Sequence, residues 1–433
     1  MHIVINLLLL IALIVIGVPV PFAFMAAAFY MGAMFFPDFS FLTTIGFRGL
    51  NSLTLLSIPL FIMAGSFMGS AGIAERLVNF AQAILGRIRG GMGAAVILSC
   101  AIFGAIAGTC SAAVACIGTI MIPRLEKLGY PRSYTTALVA CASVLGQLFP
   151  PSVPMILFAW VTQQSVAACF LATVIPGFII MINLIVVNHF MCKKMPNLKV
   201  DPPLSFGERN RLVASTARRG IWSLFMPVVI IGGIYGGVMT PTESAAVAVG
   251  YAIFIGIFVH RELSPSSLWK SFCIGATTSG VICIMIFFVV MMGRLYAMQQ
   301  VPQQIAAYLL SISDNRIVIL LMVNIFLIII GMLMDDLSGT LLTASLLMPL
   351  MQEIGVHPIH FAAIMGTNMG MGNVTPPCAP LLFLAARIGK VPFNEYIKPT
   401  MIFVLFAQLP VVLLVTYVPE LSLWLPRLVM GIR

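Results

Sequence analysis

Glycine, proline and small polar residues gather in four short stretches of an otherwise apolar chain. They are residues 104–111 and 146–154 in the first half, and residues 335–340 and 368–377 in the second. A proline inside a helix removes a backbone hydrogen bond and costs about 3 kcal/mol. Carbonyl and hydroxyl oxygens freed at such breaks suit a small cation, while the N–H groups at a new helix start attract an anion. The stretches therefore predict a site that holds a cation beside an anionic group.

The elements that carry these stretches are apolar enough to lie in a membrane. The 433 residues are 61% hydrophobic and 8% charged, with a mean hydropathy of +1.09, whereas soluble domains carry about a quarter charged residues. Runs such as 3–16, 170–187 and 317–333 reach or approach the roughly 20 residues that span a bilayer. Continuous apolar blocks favour helices over the alternating strands of a membrane barrel. We expect an all-α, multi-spanning membrane protein.

The position of the breaks inside apolar segments limits where they can lie. Non-helical backbone is tolerated at membrane depth only where protein or a water-filled cavity covers it. We therefore expect the four stretches to converge on one interior site. The alternative is that these residues only kink helices and allow close packing, as in Gly104-x-x-x-Gly108. That alternative explains single residues but not their paired placement.

Six helix-breaking residues occur twice at one spacing. Residues 123, 129, 146, 150, 151 and 154 are matched by residues of the same type at 349, 355, 372, 376, 377 and 380, always 226 residues later. Repeats of this kind are common in secondary transporters. The spacing predicts two related halves, residues 1–200 and 221–433, joined by a basic linker at 201–220. The copies are inverted if each half crosses the membrane an odd number of times.

The basic residues are spread over short loops rather than gathered in one patch. The formal net charge is +10, and the densest basic run extends from Lys193 to Arg219. An excess of Lys and Arg in loops marks the cytoplasmic side of a membrane protein. We therefore place this run in the cytoplasm and expect no nucleic-acid partner.

Two adjacent carboxylates, Asp335 and Asp336, lie among apolar residues. A carboxylate near membrane depth is costly and is by default a functional candidate. The alternative is a helix-end pair in the headgroup region that caps the turn at Ser338 and Gly339. Glu243 follows Pro241 and fits the first turn of a helix better than a site.

Motifs for hydrolysis and ATP binding are missing from the sequence. It contains no GxSxG, HExxH or Walker A run, and its nine cysteines show no CxxC or CxxH spacing. An enzyme, direct use of ATP and a metal site other than one for sodium are therefore not expected. A channel remains as an alternative to a carrier.

Motifs along nearly the whole chain resemble those of the large membrane subunit of TRAP transporters, the tripartite ATP-independent periplasmic family. They occupy residues 57–65, 103–108, 117–123, 129–131, 149–155 and 237–243. The resemblance implies an elevator-type carrier of the ion transporter superfamily, with two inverted repeats, broken helices and re-entrant hairpins. It also implies the bacterial inner membrane and two partners, a small four-helix membrane subunit and a periplasmic substrate-binding protein.

The resemblance further implies sodium-coupled import of a small organic anion, a carboxylate or a sialic-acid-like compound. A stand-alone ion-coupled dicarboxylate carrier is the alternative. The sodium ligands that the resemblance implies are Thr109, Ser111, Gly146 and Pro151 at one site and Ser338, Gly339, Gly372 and Thr375 at the other. The residues predicted to contact substrate are Gly108, Gln147, Ser152, Asp336, Asn368 and Asn373. Many relatives have Asp where this chain has Ala113, which leaves the ligand and the sodium stoichiometry open.

Overall fold

The computed structural model describes residues 2–36, 38, 40–86, 89–195, 198–199 and 205–432, and within them the chain forms helices and no strand. The helices of the first half are α1 (His2–Ile16), α2 (Val20–Phe35), α3 (Phe41–Leu50), α4 (Leu53–Ser70), α5 (Ile73–Leu85), α6 (Gly91–Ala107), α7 (Cys110–Lys127), α8 (Arg132–Ser143), α9 (Leu145–Leu148), α10 (Val153–Thr162) and α11 (Val166–Lys193).

The second half continues this pattern after a short amphipathic helix. Its helices are α12 (Phe206–Arg219), α13 (Ile221–Tyr235), α14 (Pro241–Phe254), α15 (Pro265–Met298), α16 (Val301–Ile312), α17 (Arg316–Leu333), α18 (Asp336–Glu353), α19 (Pro358–Gly372), α20 (Pro380–Gly389), α21 (Phe393–Phe403), α22 (Leu409–Tyr417) and α23 (Glu420–Met430). Two π-helical turns, Ile255–Val259 and Val404–Gln408, follow α14 and join α21 to α22. Residues 201–204 of the predicted linker lie outside the described residues, and α12 makes up most of the remainder.

Among the described residues, six stretches of helix are long and apolar enough to cross a membrane. They are Leu53–Ser70, Val166–Lys193, Pro241–Val259, Pro265–Met298, Arg316–Leu333 and Phe393–Tyr417. Two bent pairs raise the number to as many as eight, since α8–α9 continues into α10 with a bend of 43° and α12 into α13 with a bend of 71°. The expected all-α, multi-spanning membrane fold is confirmed.

The helices of the second half recur at the spacing of the paired prolines. A shift of 226 residues carries the bounds of α7 onto those of α18, residues 336–353. The same shift carries α6 and α10 to within one residue of α17 and α20. The repeated spacing therefore extends from single residues to whole helices.

Each half folds a helical hairpin, α6–α7 in the first half and α17–α18 in the second, against a broken helix. The broken helices are α8–α10 and α19–α20, and their breaks overlap the stretches 146–154 and 368–377. The hairpin α6–α7 turns at Gly108, whose φ of +68° is left-handed and suits glycine. A Cβ atom on Gly104 would lie 2.4 Å from the Cα atom of Gly146 in the break. In the second half, a Cβ atom on Gly372 would lie 2.7 Å from the Cα atom of Gly331 in α17. Glycines thus allow each hairpin to touch the break of its own half backbone to backbone.

The two halves interlock through their hairpins. Helix α7 of the first half packs against α20, the short helix after the second break, and α18 packs against α10, the short helix after the first. The long helices α4 and α15 pack against each other and against α2 and α14. The hairpins and breaks therefore form one assembly, and α4 with α15 forms a wall beside it.

Candidate functional site

A cavity of about 690 Å³ lies between the wall formed by α4 and α15 and the tips of the two hairpins. Its polar lining comprises Ser66, Ser70, Thr109, Ser111, Thr119, Ser271, Thr278 and Asp336. No Lys, Arg or His is among the described residues that line it. The cavity is therefore rich in hydroxyl groups and carries one carboxylate.

The start of α7 faces this cavity from the first half. Thr109 precedes the helix in extended conformation and its side chain makes no capping hydrogen bond to the first turn. Ser111 lies in that first turn and is exposed to the cavity. The first N–H groups of a helix have no partner within it and carry partial positive charge. This tip can therefore receive an anionic group through N–H and hydroxyl donors.

The start of α18 faces the cavity from the second half, and its two carboxylates differ in role. Asp335 caps the helix by accepting hydrogen bonds from the Leu337 N–H at 3.3 Å and from the Ser338 hydroxyl. Asp336 lines the cavity, and its Oδ2 atom is buried with no hydrogen-bond partner in the structure. The sequence left two roles open for this pair, a helix cap and a functional carboxylate. In the structure Asp335 is the cap and Asp336 is the functional candidate.

The first predicted sodium set is only partly assembled around the first break. A Cβ atom on Gly108 would lie 2.7 Å from the Pro151 carbonyl oxygen, and one on Gly146 would lie 2.9 Å from that of Thr109. The structure thus brings three of the four predicted ligands, Thr109, Gly146 and Pro151, together at the hairpin tip beside Gly108. Ser111, the fourth predicted ligand, lies in the first turn of α7 and lines the cavity, as Thr109 also does.

The second predicted sodium set is spread along the second hairpin and break. Gly339 packs against Met369, while the Thr375 hydroxyl donates to the Met371 carbonyl at 2.6 Å. Gly372 lies against α17 and Ser338 bonds to the capping carboxylate, as described above. The assignment of these four residues as ligands stays a prediction.

Three further oxygen atoms suited to a cation occur in the second half. The Asp336 Oδ2, Thr340 Oγ1 and Asn373 Oδ1 atoms are all buried without a hydrogen-bond partner in the structure. Buried polar atoms are normally paired, so each such atom calls for a ligand or water. These oxygen atoms are of the kind that a sodium ion prefers as ligands. Thr340 lies in a stretch that the sequence singled out, although it was not predicted as a ligand.

Two of the predicted substrate residues lie behind the cavity and join the breaks. The Gln147 amide donates from Nε2 to the Gly366 carbonyl at 2.7 Å and accepts at Oε1 from the Cys110 thiol at 3.3 Å. The Ser152 hydroxyl donates to the Gln147 carbonyl and caps α10 through the Met155 N–H. Both side chains hold the break in place and do not line the cavity.

The two predicted asparagines occupy different surroundings. Asn368 donates to Asn324 and to the Ile364 carbonyl, both at 2.8 Å, and the Thr416 hydroxyl also donates to Asn324. This places Asn368 in a buried polar network between helices. Asn373 is 1% exposed and neither atom of its amide has a partner in the structure. Of the substrate predictions, Asp336 lines the cavity directly.

The α4 and α15 side of the cavity was missed by the sequence reasoning. The Ser66 hydroxyl donates to the Ser271 carbonyl at 2.9 Å, and the hydroxyls of Ser70 and Ser271 lie 2.7 Å apart. A signal existed, because the pairs 65–66 and 69–70 are both Gly-Ser and lie four residues apart in an apolar helix. Such spacing places small and polar residues on one helix face.

Solved transporters share this architecture. The Alcanivorax borkumensis YdaH transporter, whose structure is described as having an unusual topology, superposes with a TM-score of 0.62 over 90% of this chain and 89% of its own, at 12% identity. MtrF of Neisseria gonorrhoeae, described with a class of antimetabolite efflux pumps, gives 0.59 over 87% and 83%, at 15% identity. At these identities the likeness concerns the fold alone.

Several relatives with more similar sequences are permeases of TRAP transporters. The C4-dicarboxylate TRAP transporter large permease DctM of Pseudomonas aeruginosa is 37% identical over 86% of each chain. The sialic acid TRAP transporter large permease SiaM of Vibrio cholerae is 34% identical over 88% of each chain. The isethionate TRAP transporter permease DctMQ of Oleidesulfovibrio alaskensis is 34% identical over 95% of this chain, which spans 64% of that protein's length.

A family model describes the same relationship across almost the entire chain. The model for the DctM component of the tripartite ATP-independent periplasmic transporters matches residues 7–421. This match confirms the family that the motifs indicated, and with the relatives above it identifies the chain as a permease. The chain belongs to the DctM family of TRAP transporter large permeases.

Proposed function

We propose that this permease imports a small organic anion together with sodium ions. The ligands named for the relatives, a C4-dicarboxylate, sialic acid and isethionate, are all small organic anions. The substrate would lie in the cavity between α4, α15 and the hairpin tips. Its acidic group would meet the first turn of α7, where Thr109 and Ser111 supply hydroxyls.

The observation that carries the coupling proposal is the charge of the cavity. One carboxylate, that of Asp336, lines it with an Oδ2 atom that has no hydrogen-bond partner, and no basic side chain is among its described lining residues. An anion placed beside an unpaired carboxylate in a region of low dielectric is strongly disfavoured. A sodium ion bound near Asp336 removes this penalty, so the anion binds well only after the cation.

The transport cycle we propose follows from the interlocked hairpins. In the first half, α4, α11 and the bent α8–α10 pair would give three crossings, the shorter apolar helices α1 and α2 would add two if both cross, and the hairpin α6–α7 would return to the side it left. Both three and five are odd, so the equivalent helices of the second half would have the opposite orientation. The hairpin assembly would then slide along the wall of α4 and α15 and open the cavity to each side in turn.

The proposal includes two partners and a location. A small four-helix membrane subunit would accompany the chain, and a periplasmic substrate-binding protein would deliver the anion to it. The location is the bacterial inner membrane, with the basic segment around α12 in the cytoplasm. The sodium gradient would supply the energy, without ATP.

Uptake by proteoliposomes tests the function. The chain and its small subunit are reconstituted, the binding protein is added outside, and labelled anion uptake is measured with an inward sodium gradient or an equal potassium gradient. We expect saturable uptake with sodium and only background uptake with potassium. Equal uptake in both would disprove coupling, and equal uptake without the binding protein would favour a stand-alone carrier.

A further inference from the structure

Two apolar grooves lie side by side on α11, and they share no lining residue with the transport cavity. The larger, about 670 Å³, runs between α11 and the segment around Ile402 and Phe406. The smaller, about 370 Å³, runs along the other flank of α11 beside Ala94. Val186 and Phe190 line both grooves, so these two side chains form a ridge between them.

The local fold explains why the larger groove is open. Val187 and Met191 lie four residues apart on one face of α11, and Met195, just after the end of the helix, lines the same groove. The opposite wall contains the π-helical turn Val404–Gln408, which interrupts the regular helix and leaves Phe406 65% exposed. Helix α11 is 28 residues long, more than the roughly 20 that cross a bilayer, so its last residues reach the membrane surface.

Basic groups gather where the grooves meet that surface. Arg89 donates from Nη2 to the Met195 carbonyl at 3.0 Å, so its guanidinium lies at the end of α11. The Lys193 ammonium lies 5.3 Å from the centroid of the Phe190 ring, directly at the ridge. Lys194 lines the larger groove and Arg89 lines the smaller one.

Helix α21 adds one basic and one acidic side chain near the end of α11. Asn183 donates to the Ala407 carbonyl at 3.4 Å, whereas Ile402 shares a groove with residues farther along α11, so α11 and α21 run antiparallel. This direction brings the exposed Lys398, one turn before Ile402, and Glu395 in the first turn of α21 toward the same surface. Four basic groups and one acidic group give the region a positive charge.

We propose that the two grooves bind one anionic diacyl phospholipid. One acyl chain lies in each groove on either side of the Val186 and Phe190 ridge, and the phosphate contacts Lys193, Lys194 and Arg89. Basic pockets between membrane helices on the cytoplasmic side bind anionic headgroups, and these grooves provide the apolar area that a free phosphate does not use. The lipid belongs to the cytoplasmic leaflet, because the basic run that starts at Lys193 marks that side.

Thermal melting of the full-length chain in detergent tests this assignment. Phosphatidylglycerol, phosphatidylcholine or glycerol phosphate is added, and the melting temperature of each variant is compared with its own lipid-free value. We expect a larger rise with phosphatidylglycerol than with phosphatidylcholine, and no rise with glycerol phosphate. The double variant Lys193→Gln/Lys194→Gln should lose the difference between the lipids, whereas the exposed control Lys270→Gln on α15 should keep it.

The variant Val187→Trp tests the groove itself, because it fills the larger groove without changing a charge. This variant should also lose the phosphatidylglycerol response while its lysines remain. Equal responses to both lipids, or a full response in the double lysine variant, would overturn the proposal. Loss of the response on addition of the small membrane subunit would overturn it as well, because a protein partner would then cover the grooves.

Discussion

Two neighbouring carboxylates at the start of α18 show how one residue of displacement changes the role of a side chain. The Asp335 carboxylate accepts hydrogen bonds from the Leu337 N–H and the Ser338 hydroxyl, so its partners lie within its own helix. Asp336 enters the cavity with an unpaired oxygen. An unpaired buried charge costs free energy, and a cation bound beside it recovers that cost. This contrast leads to two predictions with different readouts.

Replacement of Asp336 by Asn should reduce transport without unfolding the protein. Initial sodium-driven uptake in proteoliposomes should fall about tenfold or more, because hydrogen bonds and contacts to a charged group contribute about 1.5–3 kcal/mol. The melting temperature should not fall, since the variant removes an unpaired charge. Asp314→Asn, at an exposed acid between α16 and α17, is the control and should transport normally. A normal rate in Asp336→Asn would exclude a role for the carboxylate.

Replacement of Asp335 by Ala should instead lower stability. Loss of a helix N-cap costs about 1 kcal/mol, which should appear as a lower melting temperature of the purified chain. Asn is a comparable N-cap residue, so Asp335→Asn is the matched control and should melt close to the wild-type chain. Equal melting of the Ala and Asn variants would show that the cap contributes nothing.

At the scale of elements, glycine is the residue that allows the hairpins and breaks to meet. Gly104 and Gly146 bring α6 and the first break into backbone contact, and Gly331 and Gly372 do the same in the second half. Because each contact is made by backbone atoms, neither partner can move aside as a flexible side chain would. The hairpin and break of each half therefore depend on each other for their positions.

Gly104→Ala should destabilise the first hairpin. Its Cβ atom would lie 2.4 Å from the Gly146 Cα atom, and overpacking of this kind costs about 1–3 kcal/mol. Melting temperature and uptake should both fall. Gly280→Ala, in α15 where nothing lies within 4 Å of the added atom, is the control and should leave both unchanged or raise stability slightly. Similar behaviour of the two variants would contradict the close contact.

The elements and the breaks were predictable from sequence to different degrees. Apolar length predicted the helices, and glycine and proline predicted where they are interrupted, because both signals are local. The partners of Gln147 and Asn368 were not predictable, since the first bonds to Gly366 and the second to Asn324. Such contacts depend on how distant helices pack. The contact between Ser66 and Ser271, which are 205 residues apart in the sequence, was not predictable for the same reason.

At the scale of the whole molecule, the cavity lies on a boundary between two bodies. The wall of α4 and α15 forms one side and the hairpins form the other, and α4 touches α7 across it. A Cβ atom on Gly69 of α4 would lie 2.9 Å from the Cys116 sulfur of α7. A single substitution can therefore link the two bodies through a thiol that the chain already has.

Gly69→Cys should form a disulfide with Cys116 under oxidation and stop uptake. If the hairpins slide against α4 during transport, the link holds them in one position, and a reductant should restore uptake. The wild-type chain and Gly69→Ser, both treated with the same oxidant, are the controls and should stay active. Normal uptake by a chain shown by mass spectrometry to carry the link would rule out sliding at this boundary.

The hydrogen bond from Gln147 to the Gly366 carbonyl has a consequence for the energetics of the cycle. It fastens the broken helix of one half to the corresponding helix of the other, and a Cβ atom on Gly370 would meet the same Gln147 amide at 2.6 Å. Whatever displaces one break then displaces the other in the same stroke. Sodium ions and substrate held at either break would then move across the membrane together. The ratio of sodium to substrate would be fixed by the structure, and sodium transport without substrate would be rare.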